Sequence, residues 1–163
     1  MILLIAYGNP LRQDDGAGLR LAERMARRWQ EAGTPLRHLA VQQLTPELAV
    51  EIAERGVAAV VFVDARTAAG LADAVEITPL TPPEAATPSL GHHFQPGVLL
   101  AYAALLLEGR PAPPAWLVTV PGVAFGHGEG LSPTASAAIE AAFADNEWPL
   151  AMYQLCDDDK KTD

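Results

Sequence analysis

The chain of 163 residues has a single cysteine, Cys156, and an excess of acidic over basic residues. One cysteine excludes an intramolecular disulfide and a zinc site of the CxxC type. With 11 lysines and arginines against 20 acidic residues, the formal net charge is −9. This balance argues against binding to nucleic acid or to an anionic membrane surface, because both need a basic face on the protein.

Long apolar runs and targeting signals are also missing from the sequence. No segment approaches the roughly 18 apolar residues of a transmembrane helix, and no basic region precedes the apolar N-terminus to mark a signal peptide. We therefore expect a cytoplasmic protein. As a separate expectation, the protein acts as a monomer. Half of the residues are hydrophobic and 19% are charged, which is typical of a folded chain. The length favours one domain at residues 1–150, followed by a charged tail at 151–163.

Apolar strands alternate with amphipathic helices along the chain. The patterns predict strands at 2–7, 36–42, 58–63, 72–78 and 115–120, and helices at 15–32, 45–56, 95–108 and 132–146. Thr45 and Ser132 are the predicted N-caps of the second and fourth helices. Too few residues separate the third and fourth strands for a crossover helix, so this pair is predicted to form an antiparallel hairpin. The element order predicts a three-layer α/β/α domain whose sheet is mostly parallel and contains one antiparallel strand.

The loop after the first strand carries two adjacent carboxylates, Asp14 and Asp15. In an open α/β sheet, ligands bind at this end of a strand. The glycine patterns that cradle a phosphate are absent, and two carboxylates would repel an anion, so a nucleotide-binding domain is disfavoured. The pair suits a cation, a proton or a metal-bearing partner. Either aspartate could instead be the N-cap of the helix that follows.

Two further polar features lie near the ends of apolar segments. Asp64 ends the third strand, and His92 and His93 precede the third helix. Because parallel strands end at the same edge of a sheet, the carboxylates and an imidazole would converge there. They would form a site for a borderline divalent metal or an acid–base cluster. Each could alternatively be an ordinary loop residue, and Arg66 could either keep Asp64 ionised or face solvent.

Four motifs, in order, resemble those of the [NiFe]-hydrogenase maturation endopeptidases, and the resemblance runs from Met1 to about Ala144. The family opens with a strand and the loop G-N-x-L-x-x-D-[DE]-G-x-G, which here is GNPLRQDDGAG at 8–18. The family then has a strand ending in D-A, a histidine before an apolar helix as H-x-F-x-P, and a late G-L-[ST]-P. Their counterparts here are VDA at 63–65, HHFQP at 92–96 and GLSP at 130–133.

This resemblance implies a twisted five-stranded sheet of the phosphorylase/hydrolase-like type with one antiparallel strand. It also implies an enzyme, an aspartyl-type endopeptidase that removes the C-terminal peptide of a [NiFe]-hydrogenase large-subunit precursor after nickel insertion. The family's metal-contacting residues carry over to Asp15, Asp64 and His92, with His93 as the alternative histidine, and the same three are the expected catalytic residues. Nickel would arrive with the precursor, and no organic cofactor is expected.

The chain departs from the family pattern in two loops. Some members have glutamate where this chain has Asp15, and some have Gly-Gly-Thr after the second strand, where this chain has QQLT at 42–45. No Ser-His-Asp or Cys-His order is visible, so we expect attack by water, assisted by a carboxylate or by the metal. Two alternatives stay open: a metallochaperone or docking protein that binds the precursor without cutting it, and a small-substrate hydrolase with its own metal.

Overall fold

The computed structural model describes residues 1–68, 70, 73–82 and 94–144. Within these residues, strands and helices alternate as the sequence pattern predicts. The elements are β1 (Ile2–Tyr7), α1 (Ala17–Glu31), β2 (Leu36–Val41), α2 (Leu48–Ala53), β3 (Ala59–Thr67), β4 (Glu76–Leu80), α3 (Pro96–Leu106), β5 (Ala115–Gly122) and α4 (Pro133–Ala144). No helix in this part of the chain is long and apolar enough to cross a membrane.

The strands form one five-stranded sheet in the order β2-β1-β3-β5-β4. Strand β1 pairs in parallel with β2 and with β3, and β3 pairs in parallel with β5. Strand β4 pairs antiparallel with β5 at the edge of the sheet. With helices on both faces, the predicted α/β/α architecture with one antiparallel strand is confirmed.

The partner of the antiparallel strand differs from the prediction. The expected hairpin between β3 and β4 is wrong, because β5 lies between them. Strand β5 is mostly buried and takes the interior position, whereas β4 is largely exposed and suits an edge. Pro79 in β4 has no N–H to donate, and proline within a sheet is confined to such edge positions.

The alternation of side chains divides the core between the two faces of the sheet. Helices α1 and α4 cover the face that contains Leu4 and Val61, and helices α2 and α3 cover the face that contains Phe62. Because successive side chains of a strand point to opposite faces, Tyr7 and Asp64 fall on the α2/α3 face. This is the face on which the candidate site lies.

The start of α1 corrects one sequence-based prediction. The helix begins at Ala17 with Gly16 as its N-cap, and no side chain caps it. Neither Asp14 nor Asp15 is therefore the N-cap, because both lie within a short 3-10 helix at Gln13–Gly16. The chain turns tightly here before the α-helix starts, which frees both carboxylates for other contacts.

Two other helix starts were predicted from capping residues. Helix α2 begins at Leu48 with Glu47 as its cap, so the prediction of Thr45 as the cap is wrong. The prediction for α4 is confirmed, because the Ala135 N–H donates to Ser132 Oγ at 3.2 Å. The predicted helix end at 146, Cys156 and the tail at 151–163 lie outside the described residues.

Candidate active site

A cavity of about 440 Å³ opens at the carboxyl ends of β1 and β3. Its wall is built from the loop after β1, the loop between β2 and α2, and the start of α3. The lining residues are Tyr7, Gly8, Asn9, Arg12, Asp15, Gln42, Gln43, Leu44, Asp64, Phe94, Gln95 and Pro96. Two of the carboxylates singled out from the sequence, Asp15 and Asp64, therefore line the same cavity.

Asp64 reaches the cavity because β3 extends beyond β1. Pairing between β1 and β3 ends at Ala6 and Val63, whereas pairing between β3 and β5 continues to Thr67 and Gly122. The prediction that Asp64 ends the strand is wrong, since hydrogen bonding to β5 extends β3 past its apolar run. Asp64 instead lies within β3, at the first position where this strand no longer pairs with β1.

The Asp64 carboxyl group is partly buried and hydrogen-bonded. The Ala65 N–H donates to its Oδ1 at 2.7 Å, and the Tyr7 hydroxyl also bonds to it. Burial raises the pKa of Asp64 to about 6; the charge of Asp15 adds to this rise, and the two hydrogen bonds oppose it. Burial, then the charge of Asp64, raises the pKa of Tyr7 far above its ordinary value, so its hydroxyl stays protonated. This site can exchange a proton near neutral pH.

Asp15 is positioned by the 3-10 helix that follows β1. Its Oδ2 accepts a hydrogen bond from the Asn9 N–H at 2.7 Å, and its own N–H donates to the Arg12 carbonyl at 3.2 Å. The loop folds back so closely that a Cβ on Gly8, where φ is +142°, would collide with the Asp15 carbonyl oxygen. The glycine allows this turn, and the turn holds the carboxylate at the cavity wall.

Gly18 brings the first turn of α1 against β3 from the opposite face of the sheet. A Cβ at Gly18 would lie 2.8 Å from the Asp64 Cα and 2.9 Å from its carbonyl carbon. Only a residue without a side chain fits between the helix and the strand at this point. The helix therefore supports the backbone from which the Asp64 side chain projects.

Asp14 has a different role from Asp15. It is fully buried, and its carboxylate accepts three backbone N–H groups: Val123 at 2.8 Å, Ala124 at 2.9 Å and Ser132 at 2.7 Å. Burial alone would raise the pKa of Asp14, but these hydrogen bonds outweigh it and hold the pKa below its ordinary value. Asp14 ties the loop after β1 to the loop after β5, whereas Asp15 faces the cavity.

Arg66 has neither of the roles considered for it from the sequence. Its guanidinium forms ion pairs with Asp73 at 3.1 Å and with Glu76 at 2.9 Å. Its side chain is only 21% exposed, so it does not simply face solvent. Arg66 lies in β3 and joins this strand to the β3–β4 connection and to β4, and its charge is balanced there.

The predicted histidine ligands, His92 and His93, lie outside the described residues. Phe94, Gln95 and Pro96, which follow them directly in the sequence, line the cavity. Among the residues that the structure describes, no three histidine, cysteine, aspartate or glutamate side chains form a group that could hold a metal ion. The three-residue metal site therefore stays a prediction. Two of its three residues, Asp15 and Asp64, line the same cavity.

Several residues of the cavity were not predicted from the sequence. Tyr7 is the last residue of an apolar strand, and a hydroxyl group at a strand end could have indicated a site residue. Arg12 lies in the loop motif itself, but its side chain could not be oriented from the sequence. In the sequence, Gln42 and Gln43 differ from the Gly-Gly-Thr of some family members, and nothing else marks them as site residues. In the structure both are exposed at the cavity wall.

Comparison with solved structures reveals several similar proteins. The chain is 23% identical to the hydrogenase maturating endopeptidase HybD from E. coli, over 93% of each chain, with a TM-score of 0.61. It is 22% identical to the [NiFe] hydrogenase maturation protease HycI from Thermococcus kodakarensis KOD1, over 86% of this chain and 85% of that one, with a TM-score of 0.60. It is 18% identical to a hydrogenase 2 maturation peptidase from a Thaumarchaeota archaeon, over 91% and 97%, with a TM-score of 0.58.

Sequence-based comparison gives no match, since neither a protein-family model nor a curated protein matches the chain. The structural likeness extends over most of the chain and of each similar protein. At these sequence identities it establishes the fold and not the activity. The chain thus has the fold of the hydrogenase maturation proteases.

Proposed function

We propose that this protein is an endopeptidase that removes the C-terminal peptide from the large-subunit precursor of a [NiFe] hydrogenase after nickel insertion. The observation that carries the proposal is that Asp15 and Asp64 line one cavity in a fold shared with named maturation proteases. Within the described residues, no ion pair neutralises either carboxylate. Both acids are therefore free to meet a cation carried by a partner.

Nickel is part of the substrate in this proposal. Asp15, Asp64 and His92 would bind nickel that the precursor's cysteines already hold, with His93 as the alternative to His92. Carboxylate and imidazole groups are suitable ligands for a borderline metal. Binding of the metal would bring the nearby peptide bond into the cavity, and such positioning is a large source of rate enhancement. A precursor without nickel would lack this anchor and would be left uncut.

The reaction proposed for the bound peptide is hydrolysis. One of the two cavity carboxylates takes a proton from water as the water oxygen bonds to the scissile carbonyl carbon, and the carbonyl π electrons move to oxygen. The tetrahedral intermediate then collapses, the C–N bond breaks, and the proton passes to the leaving nitrogen. The products are a new C-terminal carboxylate on the large subunit and a released peptide with a free amine.

The proposal is tested by incubating the protein with its cognate precursor in nickel-loaded and nickel-free forms and weighing the intact precursor by mass spectrometry. We expect loss of a C-terminal fragment from the nickel-loaded precursor only. Asp64→Asn, Asp15→Asn and His92→Ala should each abolish this loss. Stable binding of the nickel-loaded precursor with no change in its mass would contradict the proposal and favour a docking protein. Purification with stoichiometric metal, without cleavage, would favour the small-substrate hydrolase.

A further inference from the structure

The cavity that contains Asp15 and Asp64 also contains a positive charge. Among its described lining residues, Arg12 is the cation, and the other polar side chains besides the two carboxylates are neutral. A cation at this position can offset the negative charge of the two carboxylates, and it can also stabilise negative charge that develops on a bound substrate. The proposed hydrolysis creates a further negative charge in this cavity, on the substrate.

The main chain at Arg12 is fixed against the loop after β5. Arg12 forms an isolated parallel bridge with Gly128. On either side of it, the Gly128 N–H donates to the Leu11 carbonyl at 3.0 Å, and the Gln13 N–H donates to the Gly128 carbonyl at 3.0 Å. These bonds join the two loops, so the Arg12 side chain projects from a supported position.

The Arg12 side chain is exposed, and its guanidinium is anchored by one hydrogen bond. Its Nη2 donates to the Phe125 carbonyl at 3.1 Å. A guanidinium has five N–H donors, and within the described part of the chain Phe125 is the partner found for this side chain. One bond orients the planar group, and the remaining donors can meet a ligand in the cavity.

Negative charge develops on the scissile carbonyl oxygen when water attacks a peptide. Next to two carboxylates, that charge is unfavourable unless preorganised donors face it, and such donors are usually the largest single contribution to catalysis. The carboxamides of Gln42, Gln43 and Gln95 can also donate, but they are neutral. A hydrogen bond from a cation to a charged oxygen is about twice as strong as a neutral one.

We propose that Arg12 is a catalytic residue that donates guanidinium N–H groups to the carbonyl oxygen of the scissile bond. The carbonyl π electrons move to this oxygen as water bonds to the carbon, and they return when the C–N bond breaks. Arg12 holds the charge in between and neither gains nor loses a proton. This inference rests on the proposed function, because it concerns the transition state of that hydrolysis.

The test measures kcat and KM for cleavage of the nickel-loaded precursor by Arg12→Gln and Arg12→Lys. We expect Arg12→Gln to lower kcat by about 100-fold to 1,000-fold, the range found when an oxyanion donor is removed, with KM within about threefold of the wild type. Arg12→Lys keeps the charge but loses the planar arrangement of N–H donors, so its kcat should lie between those of the wild type and Arg12→Gln. Added guanidinium ion should restore part of the Arg12→Gln rate. The matched control is Arg27→Gln, an exposed arginine of α1 away from the cavity, which should cleave like the wild type.

Three results would overturn the inference. An unchanged kcat in Arg12→Gln would show that the charge is not needed in the transition state. A loss confined to KM would make Arg12 a docking residue for the precursor. Failure of the wild-type protein and of Arg27→Gln to cleave the nickel-loaded precursor would overturn the proposed function and this inference with it. The first two results leave the proposed function standing.

Discussion

Gly18 lies directly against the backbone of Asp64, so that a Cβ on the glycine would come within 2.8 Å of the Asp64 Cα. The contact joins the first turn of α1 to β3 through the sheet, from the side opposite the cavity. A change at Gly18 can therefore move the Asp64 carboxylate without touching the cavity itself.

The first prediction concerns Gly18→Ala. The added methyl group must displace the helix or the strand, and overpacking of this kind costs about 1 to 3 kcal/mol of unfolding free energy. We expect both a lower stability in urea and a reduced rate of precursor cleavage. Gly70→Ala is the matched control, because no described atom lies within 4 Å of its added Cβ. A Gly18→Ala protein as stable and active as the wild type would contradict this account of the contact.

Asp14→Asn is predicted to damage the fold. The carboxamide replaces one acceptor oxygen by an NH₂ group, which then faces backbone N–H donors in a buried site. We expect a loss of about 3 kcal/mol in unfolding free energy, because an unsatisfied buried group and a lost bond to a charge both contribute. Urea denaturation at pH 7 measures it. A change below about 0.5 kcal/mol would rule out a structural role for Asp14.

Asp64→Asn is predicted to have the opposite effect on stability while abolishing cleavage. The folded-state pKa of about 6 lies above the ordinary value of 3.8, so the folded protein binds the proton more tightly than the unfolded chain. The unfolding free energy should therefore fall as pH rises from about 4 to about 6. Removing the ionised carboxylate should stabilise the protein at pH 7 by about 1 to 2 kcal/mol, after allowance for its partial exposure to solvent.

The pH dependence distinguishes the two aspartates. In Asp64→Asn the fall of stability between pH 4 and 6 should be absent, and in Asp14→Asn it should remain. The lowered pKa of Asp14 acts in the other direction. Its stabilising effect is complete above the ordinary pKa of an aspartate and is lost as pH falls through the folded-state value. Denaturation curves from pH 3 to 8 for the wild type, Asp64→Asn and Asp14→Asn measure these effects. The two assignments would be wrong if the fall of stability between pH 4 and 6 were absent in Asp14→Asn and present in Asp64→Asn.

Tyr7→Phe is predicted to shift the pH dependence of cleavage. The Tyr7 hydroxyl bonds to Asp64 and lowers its pKa, opposing burial. Without this bond, the pKa of Asp64 should rise further above about 6. In the proposed function the ionised Asp64 carboxylate binds nickel, so the acid limb of the cleavage profile should move to higher pH. Titration of the Asp64 carboxyl carbon by NMR in both proteins checks the cause directly, and identical titration curves would refute it.

The sequence predicts those parts of the fold that depend on local patterns. The apolar run at 2–7 and the helical spacing of α1 identify their elements, and Ser132 correctly marks a helix start. The partner of β4 was not predictable in this way, because it depends on which strand buries more surface in the finished sheet. The extension of β3 past Asp64 likewise depends on pairing with β5, which is far away in the sequence.

The candidate site shows the same division. The motif indicates both aspartates, and the structure gives each its own role: Asp15 lines the cavity and Asp14 bonds to distant amides. Residue type and spacing alone do not distinguish the two neighbours, since the amides that bind Asp14 lie more than a hundred positions away. The resemblance to the family is what predicts Asp15, and not Asp14, as the site residue. The choice between His92 and His93 stays a prediction.

The hydrogen bonds of Asp14 also determine when the cavity can form during synthesis. They span 109, 110 and 118 positions of the chain, from the first loop to the start of α4. A nascent chain cannot complete this network until Ser132 has left the ribosome exit tunnel. The loop that presents Asp15 is translated before Val123, Ala124 and Ser132 and must wait for them. A partly translated chain thus carries the motif but lacks the finished site.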